Sequence, residues 1–171
     1  MRQIVLTGFM GAGKTTVGKL LSQTMQLPII DIDTEIQLEQ QASITEIFAN
    51  LGEVKFRELE HQMLLRVLQK DAVISTGGGI ILSPENRAEL TAANFVVYLK
   101  TQPDSFLSRL KGDTTRPLIQ EKSAKEIKDL FESRAQLYEN SAHLTIETDE
   151  LTPQEIANQI QQYFQERKEN I

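Results

Sequence analysis

"GFMGAGKT", residues 8–15, decides the fold. It matches G-x-x-x-x-G-K-[ST], a pattern whose glycines let the backbone curl so that its N–H groups point at phosphate oxygens. The pattern is informative only between a strand and a helix. Here "QIVLTG" (3–8) is an apolar, β-branched run on one side, and residues 14–25 carry a helix pattern on the other. Gly11, Ala12, Gly13, Lys14, Thr15 and Thr16 therefore form a candidate cradle for a nucleoside triphosphate. Lys14 would reach the β- and γ-phosphates, and the Thr15 hydroxyl would face Mg²⁺.

Further along, strand-like runs recur at 28–33 ("PIIDID"), 72–76 ("AVIST"), 94–100 ("NFVVYLK") and 142–148 ("AHLTIET"). Their nearly continuous apolar character suits parallel strands covered on both faces, and the intervals are long enough for crossover helices. Helix starts are legible at Ser83-Pro84, at Ser123 with Glu126, and at Thr152-Pro153 with Glu155. The reading is one α/β domain over 1–171, three layers deep, with a five-stranded parallel central sheet.

Composition narrows the function. The 171 residues carry a net charge of -6 with a sequence pI of about 5.0, which argues against a nucleic-acid partner. No apolar run approaches the roughly 18 residues of a membrane span, and the first strand begins too early to leave room for a signal peptide. Zero cysteines exclude thiolate metal sites, and His61 and His143 are far apart in sequence. A cytoplasmic monomer is expected. In so acidic a chain, an anion site has to gather its arginines locally.

P-loop enzymes usually hold Mg²⁺ with an Asp at the end of another strand, yet "VISTGGG" (73–79) has no carboxylate. The substitutes are Asp31 and Asp33, expected on one side of the second strand, one facing the metal's water shell and the other an acceptor hydroxyl. Taken alone, such a pair is more often a solvated turn or a helix cap, and only the P-loop and the missing strand-end Asp lift it. Arg57 and Glu60 share a helical face with Leu64 and Leu68, and Arg134 falls within the apolar stripe of Ile127, Leu130, Phe131, Leu137 and Tyr138. Each arginine there either pairs with a carboxylate or holds an anionic ligand. Residues 33–61 are longer than a crossover needs. Residues 112–122, with Arg116 held extended before Pro117, read as a closing loop.

Together these features resemble the shikimate kinases of bacteria and plants. The P-loop, Asp31-Ile32-Asp33, Phe56-Arg57 with Glu60, Gly77-Gly78-Gly79, Arg116-Pro117-Leu118 and Arg134 before Leu137-Tyr138 follow that family's order across nearly the whole chain. The resemblance implies transfer of the γ-phosphoryl group of MgATP to the 3-hydroxyl of shikimate, a step toward chorismate and the aromatic amino acids. It implies that Asp33 contacts shikimate hydroxyls as the suspected base and that Arg57 and Arg134 grip the carboxylate. It further implies that Asp31 meets Mg²⁺ through water, that Arg116 acts from a lid at 112–122, and that Arg109 lies against adenine. Residues 33–61 become the shikimate-binding segment, and the glycines a bare floor beneath shikimate, where a Cβ would collide. The family's basic residue before the final helix has no counterpart in "DELTP" (149–153).

Two other acceptors compete. A nucleoside monophosphate kinase would carry D-G-[FY]-P-R, which is absent, and a gluconate-type kinase would also act on a hydroxylated carboxylate. A GTPase switch would need N-K-x-D, which is absent too.

Overall fold

In the computed structural model, which describes residues 1–110 and 122–169, β1 (Ile4–Thr7) runs through the glycine-rich loop into α1 (Lys14–Met25). β2 (Ile29–Asp31) leads directly into α2 (Ile32–Gln40) and then α3 (Ile44–Val67). β3 (Val73–Ser75) is followed by a 3₁₀ turn at Ile80–Leu82 and α4 (Pro84–Ala92). β4 (Val96–Lys100), α5 (Pro103–Leu110), α6 (Ala124–Asn140), β5 (Leu144–Glu147) and α7 (Pro153–Glu169) complete the order.

The strands pair in the order β2-β3-β1-β4-β5, and all four pairings are parallel. Alternation along each strand feeds two separate cores. Ile4, Leu6, Val97, Leu99 and Ile146 pack with Leu21, Met25, Ile156, Ile160 and Phe164, the layer of α1 and α7. Val5, Ile30, Ile74, Val96 and Tyr98 pack with Ile36, Leu64, Phe106, Phe131 and Tyr138 on the other face. Both faces are covered, so the strands read as apolar throughout. This is the three-layer α/β/α arrangement expected, with the P-loop at the carboxyl end of the central strand, where ligands of open parallel sheets bind.

The three helix starts hold. Ser83 accepts from Asn86 N at 3.1 Å with Pro84 behind it, Ser123 and Glu126 cap reciprocally, and Thr152 and Glu155 do the same. A third capping box, Ser43 with Glu46, opens α3.

One expectation changes. Asp33 is not on a strand: β2 stops at Asp31, which caps α2 by accepting from Thr34 N at 3.0 Å, so Asp33 lies in the helix's first turn. A free N-terminal turn prefers negative charge, and Asp33 and Glu35 supply it. The long 33–61 interval is thus two helices, with α3 broken at Gly52 (φ 80). The closing-loop expectation for 112–122, with Arg116, falls outside the described residues except for Lys122.

Candidate active site

The phosphate cradle is built on a strand end, a loop and a helix start. Gly13 sits at φ 95, a left-handed conformation that glycine adopts without a Cβ penalty, and it serves as the N-cap of α1. The first turn of α1 therefore opens into the loop with its N–H groups forward, a ready anion site. Lys14 curls back across the loop, its Nζ donating to Gly8 O at 2.6 Å and Phe9 O at 3.0 Å. Gly11, Gly13, Lys14, Thr15 and Thr16 line a cavity of about 280 Å³ whose far wall is Asp31, Asp33, Ser75, Thr76, Gly77 and Gly78.

A second cavity of about 270 Å³ adjoins it, lined by Arg57, Glu60, Arg134 and Gly79 among polar groups and by Met10, Ile44, Phe48 and Phe56 among apolar ones. Asp31, Asp33, Gly77 and Gly78 line both cavities. The two spaces therefore meet at a seam of two carboxylates and bare backbone. α2 brings Asp33, α3 brings Arg57 and Glu60, the β3 end brings the glycines, and α6 brings Arg134.

The arginines differ in what holds them. Arg57 donates to Glu60 Oε2 at 2.8 Å and to Glu53 Oε1 at 3.2 Å, and its guanidinium lies over the Phe56 ring, 5.2 Å from the centroid. Burial opposes its charge, but Glu60 and then Glu53 outweigh that and raise its pKa. Arg134 is buried at 4 % exposure and makes no ion pair with any described carboxylate. It lies 5.9 Å from the centroid of Phe9 and reaches Gly78 O at 3.4 Å, and burial lowers its pKa. A buried guanidinium so placed is costly unless an anion joins it. Burial pushes Glu60 up to about 7 against the pull of Arg57, with Asp33 adding to the rise.

The glycine run answers to side chains as much as to any ligand. A Cβ on Gly79 would stand 2.6 Å from Arg57 Cζ, and one on Gly77 would stand 2.9 Å from Asp33 Oδ1 and 3.0 Å from Glu60 Oε1. The charged groups of the pocket occupy the volume that side chains there would need. A collision with ligand alone, as the family resemblance implied, is an incomplete account.

For Mg²⁺, Thr15 and Asp31 both face the phosphate cavity, and hard oxygen donors of this kind fit the ion. Asp31 Oδ1 is already engaged as the α2 cap, also meeting Thr34 Oγ1 at 3.2 Å. A cation there would draw most of its ligands from phosphate and water. Arg109 falls on α5, its side chain outside the described residues, and so does all of Arg116. In 149–153 the side chains serve the fold: Asp149 accepts from Gln102 N at 3.1 Å, and Thr152 caps α7.

Sequence reading missed Thr34 and Gln37, which line the second cavity, and Ser75 and Thr76, which line the first. Polar residues ending the buried strand β3 were the available signal for the latter two.

Comparison with known proteins agrees with this geometry. The family model described as shikimate kinase matches residues 10–165. A shikimate kinase of Enterococcus faecalis is 46% identical over 97% of this chain and 100% of its own length, and one of Bacillus cereus is 43% identical over 95% and 98%. The structure of a shikimate kinase from Acinetobacter baumannii in complex with shikimate superposes with a TM-score of 0.93 at 39% identity, covering 98% of this chain and 95% of that one.

Proposed function

The chain belongs to the shikimate kinase family and is an ATP-dependent kinase of shikimate, and from that premise we propose how its residues divide the work. The observation that carries the assignment is the shared seam, where one phosphate-type cavity and one arginine-bearing cavity have Asp31, Asp33, Gly77 and Gly78 in common. ATP lies on the P-loop side, its triphosphate held by Gly11–Thr16. Shikimate lies on the other side, with its carboxylate between Arg57 and Arg134, for which a planar guanidinium fork is suited. Its ring rests among Ile44, Phe48 and Phe56, and its 3-hydroxyl faces the seam.

Asp33 accepts the proton of that hydroxyl or orients it for in-line attack on the γ-phosphorus. The O–P bond to shikimate forms as the bond to the bridging oxygen of ADP breaks, giving shikimate 3-phosphate and ADP. Such a transfer needs little beyond positioning and charge neutralisation. Lys14 leaves its carbonyl partners to offset charge on the phosphates, and Arg116 does so from the 112–122 lid. Thr15 and, through water, Asp31 would hold Mg²⁺, which supplies charge neutralisation between the phosphates. Glu60 orients Arg57, and Arg109 lies against adenine. We place this activity in one cytoplasmic monomeric domain spanning 1–171. No described helix is long and apolar enough to cross a membrane.

Neither gluconate nor a nucleoside monophosphate is favoured as acceptor, since family model and relatives agree on shikimate kinase. The direct test follows phosphorus NMR after mixing MgATP with shikimate, gluconate, AMP or CMP in turn. A new phosphomonoester only with shikimate is expected. Transfer to another acceptor would overturn the arginine and glycine assignments while leaving the P-loop assignment standing.

A further inference from the structure

Two donors from one helix converge on a single carbonyl behind the shikimate cavity. Tyr138 Oη donates to Gly78 O, and Arg134 Nη1 reaches the same oxygen at 3.4 Å. The two residues are four apart on α6 and so share a face. Gly78, Gly79 and Arg134 line the cavity, while Tyr138 is wholly buried and does not. The phenol therefore lies behind the glycine floor and pulls on it from the core side.

Peptide geometry gives that pull a consequence. No peptide bond is cis, and in a trans peptide the C=O of one residue and the N–H of the next point in opposite directions. With the Gly78 carbonyl drawn back to α6, the Gly79 N–H is turned away from α6, to the cavity side. A glycine-rich turn left alone has many orientations open to it, so something must select this one.

The placement of the hydroxyl is unusual for packing alone. A fully buried position in an apolar stripe accepts Phe more readily than Tyr, because a buried hydroxyl costs free energy unless it is bonded. The Tyr138 ring is stacked on Tyr98 of β4, with centroids 5.0 Å apart and planes 13° from parallel, which fixes where its oxygen sits. Burial raises the Tyr138 pKa, so the group stays protonated and remains a donor. Tyr98 provides an internal contrast. It has the same ring in the same stack, but its hydroxyl has no hydrogen-bond partner among the described residues.

We propose that Tyr138 is a positioning residue for shikimate: its hydroxyl anchors the Gly78–Gly79 peptide so that the Gly79 N–H faces the acceptor, and it registers Arg134 against the same carbonyl. This rests on the assignment of the arginine-bearing cavity to shikimate. Neither Tyr138 nor Arg134 lines the phosphate cavity, and the N–H that the anchor turns belongs to Gly79, which lines the acceptor cavity alone, so the larger effect falls on acceptor binding.

The test compares Tyr138→Phe and Tyr98→Phe with wild type in steady-state kinetics, with thermal unfolding measured alongside. Tyr138→Phe keeps the stacked ring and is expected to raise the shikimate KM by about fivefold to twentyfold, the size of one lost hydrogen bond, with kcat and the ATP KM within about twofold. Tyr98→Phe is expected to leave the shikimate KM unchanged. A Tyr138→Phe enzyme with unchanged shikimate KM, whatever its Tm, overturns the proposal. So does an equal rise in both variants, or a fall in kcat with no change in either KM.

Should Tyr138→Phe fail to fold, wild type carrying 3-fluorotyrosine supplies the second readout. Its three tyrosine signals are assigned by comparison with Tyr98→Phe and Tyr163→Phe. The Tyr138 fluorine signal is expected to move on adding shikimate and to stay still on adding MgADP; a signal indifferent to shikimate overturns the proposal. If wild type does not phosphorylate shikimate at all, the cavity assignment fails and this inference with it, and that is seen before any variant is compared.

Discussion

Arg57 Nη1 donates to Glu60 Oε2 across 2.8 Å, one turn along α3, and the carboxylate that receives it is 1 % exposed. The pair is unequal. Arg57 has a second carboxylate, Glu53, while Glu60 Oε1 has no hydrogen-bond partner among the described residues. Burial consequently dominates at Glu60 and raises its pKa to about 7, although a guanidinium is bonded to it. The carboxyl that holds Arg57 is thus pushed up toward neutrality.

That imbalance has a stability signature. Glu60 binds its proton more tightly in the folded chain than in the unfolded one, so its contribution is fully present below the ordinary value of 4.5 and is lost as pH rises through about 7. The shift corresponds to a swing on the order of 3 kcal/mol. Glu60→Gln removes the titration and keeps an acceptor for Arg57. The unfolding free energy of Glu60→Gln relative to wild type is therefore expected to rise between about pH 5 and pH 8 in urea titrations. Parallel profiles for the two proteins would sink the assignment.

Arg134 invites the opposite trade. Its buried charge makes no salt bridge with a described carboxylate and feels Glu60 and Glu53 only at longer range, so it costs stability that an anionic ligand would return. Arg134→Met keeps the apolar stem over Phe9 and removes the charge. The unliganded variant is expected to melt no lower than wild type, while shikimate affinity by calorimetry falls by roughly 30-fold or more. Unchanged shikimate affinity would show that the carboxylate lies elsewhere.

At Gly79 the constraint is space. Its φ of -94 is open to any residue, but an added Cβ would stand 2.5 Å from Arg57 Nη2, inside contact distance. Gly79→Ala is therefore expected to displace the guanidinium and raise the shikimate KM by about tenfold or more, with the ATP KM within about twofold. A variant with wild-type shikimate KM would mean that Arg57 can move aside at no cost to binding.

His143 carries a separate, acid-side dependence. Its Nδ1 accepts from Val96 N at 3.0 Å, which requires that nitrogen to be unprotonated. Burial, with Arg167 adding to it, lowers the His143 pKa below 6.5, so this contribution is present above 6.5 and is lost as pH falls through the lowered value. In acid the imidazolium would displace the Val96 donor and loosen β4 from the β5 entry. His143→Gln, which cannot titrate, is expected to close its stability gap to wild type as pH falls below 6.5 and through the lowered value. A gap independent of pH would exclude the histidine from acid sensitivity.

What the sequence made legible and what it hid follow from the range of the interactions involved. The P-loop was readable because Gly13, Lys14 and Thr15 act through local backbone geometry, which spacing encodes. Arg57 and Arg134 were readable as anomalies on apolar faces. The start of α2 was masked, since "PIIDID" is β-branched and apolar up to the residue where Asp31 caps the helix. Tyr138 was hidden as a site element because a tyrosine in an apolar stripe reads as core, and its partner, Gly78, arrives from another element. The occupant of the Gly79 side-chain space, Arg57, is equally a product of packing between α3 and the β3 end.

Asp33 is where chemistry should fail most cleanly. It stands at the seam shared by both cavities and in the first turn of α2, where the helix terminus favours its charge. Asp33→Asn keeps the size and a hydrogen-bonding carbonyl but cannot take a proton, so folding should change by no more than about 1 kcal/mol. Turnover with shikimate is expected to fall by ~10²–10⁴-fold, the range for a positioned acid–base group, with ATP affinity retained. Turnover within about threefold of wild type would refute the role. Asp31→Asn offers the contrast: asparagine caps a helix as well as aspartate, so α2 should persist. Its expected defect is a higher Mg²⁺ requirement that saturating metal restores. If excess Mg²⁺ rescues Asp33→Asn and leaves Asp31→Asn inactive, the two carboxylates have been assigned the wrong way round.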